Sequence, residues 1–194
     1  MSLTSTDSAV ASLVAVAGTC PDSLARAVRA DIGLGLGWQK TAERVASALR
    51  SNLPGPADLL PVHLRHGDPA CYQSHLLYAE PDGSFSIAAM VWLAGQETPI
   101  HDHVAWCVTA VLQGREYEEI FSLADGGRAL APAARNVNPP GSVSGFAPPG
   151  DIHRVRNSGA GIAVSMHVYG ADLARLGSSI RRVYDLPVQI PAPR

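Results

Sequence analysis

The sequence predicts a mainly β fold, an antiparallel sandwich or jelly-roll barrel, with helices at its N-terminal end. The first observation is a series of about eight short strand-like runs after Cys71, separated by Gly- and Pro-bearing turns and by no helical pattern. The second observation is a pair of helical patterns ahead of these runs. The predicted strands are Tyr72–Tyr78, Phe85–Leu93, Trp106–Leu112, Glu116–Ser122, Val143–Phe146, His153–Arg156 and Ile162–Tyr169.

The two helical patterns lie in the first third of the chain. Apolar side chains recur at helical spacing from Leu24 to Ile32, after a possible N-cap at Asp22 and before a glycine-containing stop. A second helix is predicted over Trp38–Leu49. We therefore expect a helical segment over residues 1–60, a barrel over 61–184 and a tail over 185–194, with the helices and the barrel in one domain.

Composition excludes several classes of partner. The net charge of -2 in 194 residues gives no basic surface for nucleic acid or an acidic membrane, and no apolar run reaches transmembrane length. The start of the chain lacks the basic residues of a signal peptide, and the three cysteines are odd in number and widely spread. We expect a cytoplasmic protein with a small-molecule partner; the sequence leaves the oligomeric state open.

Three histidines predict a metal site. His101 and His103 are two residues apart in a strand-like setting, so that both imidazoles point to one face, and His153 follows a Pro-Pro-Gly turn. Three neutral imidazoles with open coordination positions are typical of a catalytic site, with ferrous iron or zinc as the metal. The remaining candidates, His63, His66 and His75, are interpreted as ordinary core or surface residues.

A second polar group lies on the last predicted strand. Ser165, His167 and Tyr169 alternate along it and therefore face the same side. Polar residues on one face of an apolar strand suggest a hydrogen-bonded relay into a cavity; the alternative is a solvent-exposed face. Trp92 and Trp106 are candidates for the apolar lining of that cavity or for ordinary core packing.

The spacing of these residues resembles the cupin superfamily. Gly95, His101, His103, position 107 and Gly114 follow the first cupin motif, and the segment 148–157 with His153 resembles the second. Many cupins carry a glutamate ligand where this chain has Cys107. The resemblance implies a cupin jelly-roll barrel with N-terminal helices packed on it.

With Cys107 and the alternating Ser165, His167 and Tyr169, the chain looks like the thiol dioxygenases, the cysteine dioxygenases and 3-mercaptopropionate dioxygenases, over roughly Tyr72 to Tyr184. That resemblance implies Fe(2+) on the three histidines and a Ser-His-Tyr triad beside it. It also implies a reaction that adds both atoms of O2 to a small thiol to give a sulfinate.

The resemblance also suggests how the substrate is held. Arg182, with Arg181 as the second choice, and Gln73 are the predicted carboxylate-binding residues, and this pattern favours 3-mercaptopropionate over L-cysteine. In eukaryotic-type members the cysteine matching Cys107 can form a thioether with the tyrosine matching Tyr169, whereas most bacterial relatives have glycine there. The alternative is a buried free cysteine.

Two other functional classes stay open. One is a different cupin metalloenzyme, such as an isomerase or a zinc- or manganese-dependent enzyme. The other is a non-catalytic cupin that binds a small ligand. The Ser-His-Tyr arrangement favours the dioxygenase, because ligand binding alone does not need a relay.

Overall fold

The computed structural model describes residues 11–16 and 20–190. The helices in this part of the chain are Asp22–Ile32 (α1), Trp38–Ser51 (α2), Pro56–Leu59 (α3) and Leu173–Leu176 (α4), with 3-10 turns at Val62–Leu64 and Asp125–Gly127. The strands are Leu13–Ala15 (β1), Gln73–Ala79 (β2), Ser86–Trp92 (β3), His101–His103 (β4), Cys107–Gln113 (β5), Glu116–Ala124 (β6), Ala129–Asn138 (β7), Val143–Phe146 (β8), His153–Asn157 (β9), Ala163–Tyr169 (β10) and Ile180–Val183 (β11).

The strands form two sheets. One has the order β1-β2-β3-β10-β5-β8, and the other has the order β11-β4-β9-β6-β7. From β3 onward the chain passes repeatedly from one sheet to the other, and the pairs are antiparallel apart from β1 with β2. This double-sheet crossover pattern is that of a jelly roll. The predicted mainly β fold is confirmed.

The N-terminal helices cover the outer face of the first sheet. Val28, Val45 and Leu49 are buried in one cluster with Val108 of β5 and Met166 of β10. Helix α2 approaches β8 so closely that a Cβ on Gly145 would lie 2.6 Å from the carbonyl oxygen of Ala42. A side chain there would push the helix off the sheet, which explains the glycine.

Strand β10 lies between the N-terminal helices and the second sheet, so both of its faces are covered and every one of its residues is buried. Val164, Met166 and Val168 face the helices, whereas the alternating polar residues face the second sheet. The solvent-exposed face considered as an alternative for this strand is therefore wrong. Helix α1 begins at Asp22, so its N-cap is Pro21, one residue before the predicted N-cap.

Three strands were not predicted from the sequence. β1 pairs in parallel with β2, although the segment 1–60 was expected to be helical. β7 contains Pro132 and is exposed over residues 133–137, as an edge strand allows. β11 lies at the opposite edge of the same sheet, beside β4.

The predicted tail runs beside β7. The backbone N–H of Leu130 donates to the carbonyl oxygen of Pro187, and that of Gln189 donates back to Leu130. Within residues 11–16 and 20–190, no helix combines the length and the apolar character needed to cross a membrane.

Candidate metal centre

The three predicted histidines meet inside the barrel. His101 and His103 lie on the inward face of β4, and His101 pairs with His153 across β4 and β9. One ring nitrogen from each lies within 4.8 Å of the other two, and all three residues are buried. Two short neighbouring strands thus bring together ligands that are about fifty residues apart in the sequence.

Each imidazole is held by a hydrogen bond at its Nδ1 atom. His101 Nδ1 lies 2.9 Å from the carbonyl oxygen of Pro99, and His103 Nδ1 lies 3.0 Å from the Asp151 carboxylate. His153 Nδ1 lies 2.7 Å from Glu118 Oε1. Because all three partners accept, each Nδ1 carries the proton and each Nε2 lone pair is free to bind a metal.

Burial favours the neutral form of His101 and His103. Burial lowers the pKa of His101 well below its ordinary value, and His153 and His103 beside it act in the same direction. Burial also lowers the pKa of His103, although its bond to Asp151 opposes this. Neutral imidazoles of fixed orientation fit a divalent ion such as Fe(2+) or Zn(2+), and three ligands leave positions open. The cluster can therefore hold a catalytic metal.

Cys107 lies outside this cluster. It is fully buried and pairs with Tyr169 across β5 and β10, so both side chains are on the inward face. Burial raises the pKa of the Cys107 thiol well above 9, with the Asp151 and Glu118 charges adding to the effect. A neutral thiol is a poor metal ligand, so we do not count Cys107 with the three histidines as a metal ligand.

The Ser-His-Tyr group forms a continuous hydrogen-bonded chain. The indole N–H of Trp92 donates to Ser165 Oγ at 3.1 Å, and Ser165 Oγ lies 3.0 Å from His167 Nε2. His167 Nδ1 lies 3.1 Å from the Tyr169 hydroxyl. His167 and Tyr169 line the same cavity as the three histidines, so the outer end of the chain faces the metal site.

Apart from the histidines, the cavity wall consists of apolar residues and of residues that carry hydroxyl groups. Trp92 lines it and stacks on Tyr72 with ring centroids 4.4 Å apart. Trp106 packs instead in the main core, which is the alternative considered for it. Hydroxyl groups come from Ser74, Thr98, Thr109, Ser178 and Ser179.

The predicted carboxylate-binding residues are not brought to the cavity. Arg181 is bound to Asp102, which alternates with the histidines on β4 and therefore points to the opposite face. Arg182 is exposed and stacks over the Tyr184 ring, 4.5 Å from its centroid. Gln73 is likewise absent from the described cavity wall, in which its neighbours Tyr72 and Ser74 take part, because alternate residues of a strand face opposite sides.

The other histidines lie apart from the metal cluster. His63 and His66 are exposed. His75 is buried on β2, where neither ring nitrogen has a hydrogen-bond partner among the described residues. Burial lowers its pKa.

Sequence reasoning missed the carboxylates that support the ligands. Glu118 binds His153 and accepts from Asn136 at 2.9 Å, and Asp151 accepts at 2.9 Å from the backbone N–H of His103 as well as from its ring. The signal was present for Asp151, which stands two residues before His153 in the second motif. No comparable signal marked Glu118, because β6 carries charged residues on both of its faces.

The outward face of β4 is also anchored. The Asp102 carboxylate is buried, accepts a hydrogen bond from the Tyr184 hydroxyl at 2.8 Å and contacts the Arg181 guanidinium. Both partners follow the α4 region near the end of the chain. The ligand strand is therefore held from behind by the C-terminal segment.

No protein-family model matches the chain, but parts of several solved structures are similar to it. A recombinant oxalate oxidase in complex with glycolate is 19% identical, with 54% of this chain and 53% of that chain covered and a TM-score of 0.42. A cupin 2 conserved barrel domain protein from Salinispora arenicola is 22% identical, with 53% of this chain and 77% of that chain covered and a TM-score of 0.40. A cupin superfamily protein from Desulfitobacterium hafniense is 15% identical, with 61% of this chain and 90% of that chain covered and a TM-score of 0.43.

These partial likenesses concern the fold alone. The matching region spans about half the length of the oxalate oxidase chain. The jelly-roll assignment itself depends on the strand order, and the metal site depends on the inward-facing histidines.

Proposed function

We propose that this protein is a non-haem iron(II) thiol dioxygenase that converts a small thiol to its sulfinate with O2. The observation that carries the proposal is the hydrogen-bonded chain from Ser165 through His167 to Tyr169, which ends at the cavity shared with the three-histidine cluster. A zinc hydrolase or a ligand-binding barrel has no need of a buried phenol held in this way. A dioxygenase does, because its substrates must be oriented beside the metal.

Thiol and dioxygen are the only reactants that the proposed reaction needs. Both oxygen atoms go onto sulfur, the sulfur is oxidised by four electrons that reduce dioxygen, and the thiol proton is released. Bound iron would supply the open positions where thiolate and dioxygen meet and the electron transfer between them.

The protein residues supply orientation and a dry environment. Glu118 and Asp151 fix the imidazole rings of His153 and His103, and these rings are the proposed ligands together with His101. The Tyr169 hydroxyl is the polar group of the chain that faces the cavity. Apolar residues such as Phe146 and Leu173 complete the wall and exclude water.

Within this proposal 3-mercaptopropionate is favoured over L-cysteine as the substrate, by resemblance. The roles assigned to Arg182, Arg181 and Gln73 in carboxylate binding stay predictions. For Arg181 to take part, it would have to release Asp102; for Arg182, it would have to leave the Tyr184 ring. The substrate panel must therefore include thiols with and without a carboxylate.

Oxygen consumption by the iron-loaded protein tests the proposal. The panel is 3-mercaptopropionate, L-cysteine, cysteamine and mercaptosuccinate, with sulfinate product identified by mass spectrometry and His153→Ala as the matched inactive variant. We expect oxygen uptake and sulfinate in equal amounts with at least one thiol. No uptake with any thiol, from protein shown to contain iron, contradicts the proposal.

The same donor set fits zinc, which accepts three histidines and a water molecule. Metal analysis of protein purified without added metal distinguishes this second candidate. Tightly bound zinc or manganese, together with inactivity after iron loading, would favour a different cupin metalloenzyme.

A further inference from the structure

A buried carboxyl, that of Glu116, lies beside the Ser165 end of the hydrogen-bonded chain. Glu116, the first residue of β6, pairs with Asn157 of β9, and this pairing puts it on the same inward face as Glu118 and His153. It is 3% exposed. The Ser165 hydroxyl lies near enough to this carboxyl to favour its charged form, which lowers the pKa of Glu116 and opposes the effect of burial. Its Oε1 atom has no hydrogen-bond partner among the described residues.

Glu116 is the member of this chain that titrates near neutral pH. Burial lowers the pKa of His167 to about 3, and burial raises the pKa of Tyr169 well above 10. Burial also raises the pKa of Glu116 to about 7; the Glu118 charge adds to this and Ser165 opposes it. At neutral pH His167 is therefore a neutral imidazole with one N–H, Tyr169 keeps its O–H, and only Glu116 changes charge.

The groups that face Glu116 are few. Glu118 on its own strand is ionisable and is already bonded to His153, and His167 on β10 is reached through Ser165. The two strands that pair with β6, β9 and β7, place Asn157 and Asn138 opposite Glu116, and β3 of the other sheet places Trp92 beside Ser165; none of these three side chains carries a charge. Among the described residues, no cation lies beside Glu116 to hold it ionised.

The number of protons available allows two arrangements of the hydrogen bonds that link Glu116 to Tyr169. With Glu116 ionised, the Ser165 O–H donates to the carboxylate, His167 carries its proton on Nε2, and the Tyr169 O–H donates inward to His167 Nδ1. With Glu116 protonated, its O–H can donate to Ser165, whose own O–H donates to His167 Nε2. His167 then carries its proton on Nδ1 and donates to Tyr169, whose O–H is free to donate into the cavity.

We infer that Glu116 is the inner end of this chain and acts as a positioning residue that sets the direction in which the Tyr169 hydroxyl donates. Trp92 donates to Ser165 in both arrangements, so it holds the serine oxygen in place without choosing a direction. The hydrogen-bond arrangement does not depend on what the protein catalyses. Only its effect on turnover rests on the proposed dioxygenase function.

The protonated nitrogen of His167 is the decisive observable. Nitrogen-15 NMR of histidine-labelled, metal-free protein, titrated from about pH 5 to about pH 9, distinguishes Nδ1–H from Nε2–H, with assignment by His167→Gln. We expect the His167 proton to move from Nδ1 to Nε2 as the pH rises through about 7. The change should vanish in Glu116→Gln, whose amide does not titrate, and in Ser165→Ala, which interrupts the chain.

Glu119→Gln is the matched control, because Glu119 lies on the same strand but pairs with Arg154 on the outer face. It should keep the wild-type titration. Should Glu116→Gln fail to fold, Ser165→Ala carries the test alone. A single His167 tautomer over the whole pH range, or an unchanged titration in both Glu116→Gln and Ser165→Ala, overturns the inference.

The pH profile of kcat/KM in iron-loaded protein then tests the effect on turnover. We expect an inflection near pH 7 in the wild type and in Glu119→Gln, and a profile without it in Glu116→Gln. If no thiol is oxidised but the His167 proton moves as expected, the proposed function fails and the inference about Glu116 stands. A wild-type inflection that persists in Glu116→Gln, with active enzyme, removes Glu116 from any role in turnover.

Discussion

Replacing Glu116 with glutamine should change how the stability of the fold depends on pH. Burial raises the pKa of this carboxyl from 4.5 to about 7 in the folded protein, whereas the unfolded chain keeps the ordinary value. The difference between about 7 and 4.5, multiplied by about 1.4 kcal/mol per pH unit, gives about 3 kcal/mol. The exchange of one carboxyl oxygen for an NH2 group adds a contribution that does not depend on pH.

The sign follows from which state loses its proton first. Below pH 4.5 Glu116 is protonated in both states and contributes no pH dependence. Between 4.5 and about 7 the unfolded chain is ionised while the folded protein still holds the proton, so the free energy of unfolding falls as the pH rises. Above about 7 both states are ionised and the loss is complete. Stability contributed by the protonated carboxyl is therefore present at low pH and absent at high pH.

Urea unfolding at several pH values, followed by tryptophan fluorescence, measures this effect. We expect the unfolding free energy of the wild type minus that of Glu116→Gln to fall by about 3 kcal/mol between about pH 4 and about pH 8. All other titrating groups are common to both proteins and cancel in the difference. With Glu119→Gln the corresponding difference should not show this fall. A wild-type minus Glu116→Gln difference that stays constant within about 1 kcal/mol would refute the buried, raised-pKa description of Glu116.

Three further outcomes are expected at the metal site. Glu118→Gln should retain the fold but weaken metal binding by about 10- to 100-fold, measured by chelator competition, because His153 loses its charged partner; unchanged affinity would contradict that role. Tyr169→Phe should bind iron as the wild type does while losing rate or coupling of oxygen uptake to sulfinate, and equal rate and coupling would remove the tyrosine from the mechanism. Turnover should join Cys107 to Tyr169 through a thioether bond that replaces the thiol S–H and one ring C–H bond, with dioxygen accepting the two electrons. The intact mass would fall by two hydrogens, and free Cys107 in the peptides after many turnovers would count against the cross-link.

The ligand set was accessible from the sequence because it combines two local regularities. The alternation of His101 and His103 places both on one face of any strand, and the fixed spacing to Gly114 and to the second motif adds His153. The same alternation predicted that Ser165 would share a face with Tyr169, as it does. The two alternations need only the period of a β-strand, whereas His153 was found through the resemblance of its segment to a known motif.

Contacts between distant strands were not accessible in this way. Glu118 lies in a run of charged residues on β6, and periodicity does not tell which of two polar faces is turned inward. Strand β7 was missed because Pro132 interrupts its pattern, which an edge strand tolerates at a bulge. The contact of Arg181, the second choice for carboxylate binding, with Asp102 could not be read from the sequence, because the two residues are 79 positions apart and only the pairing of β11 with β4 brings them together.

Because Arg181 and Tyr184 bind Asp102, the position of the two histidines on β4 depends on residues that come much later in the sequence. Strand β4 is three residues long and carries two of the three candidate ligands, and the Asp102 contacts hold it on the face opposite to the histidines. Proteolytic trimming that removes Arg181 and Tyr184 would leave the Asp102 carboxylate buried without a partner, and the strand would be expected to shift. Loss of the segment that carries Arg181 and Tyr184 would then be expected to weaken metal binding by the three histidines before it unfolds the whole fold. Metal content would serve as a practical measure of whether a preparation is intact.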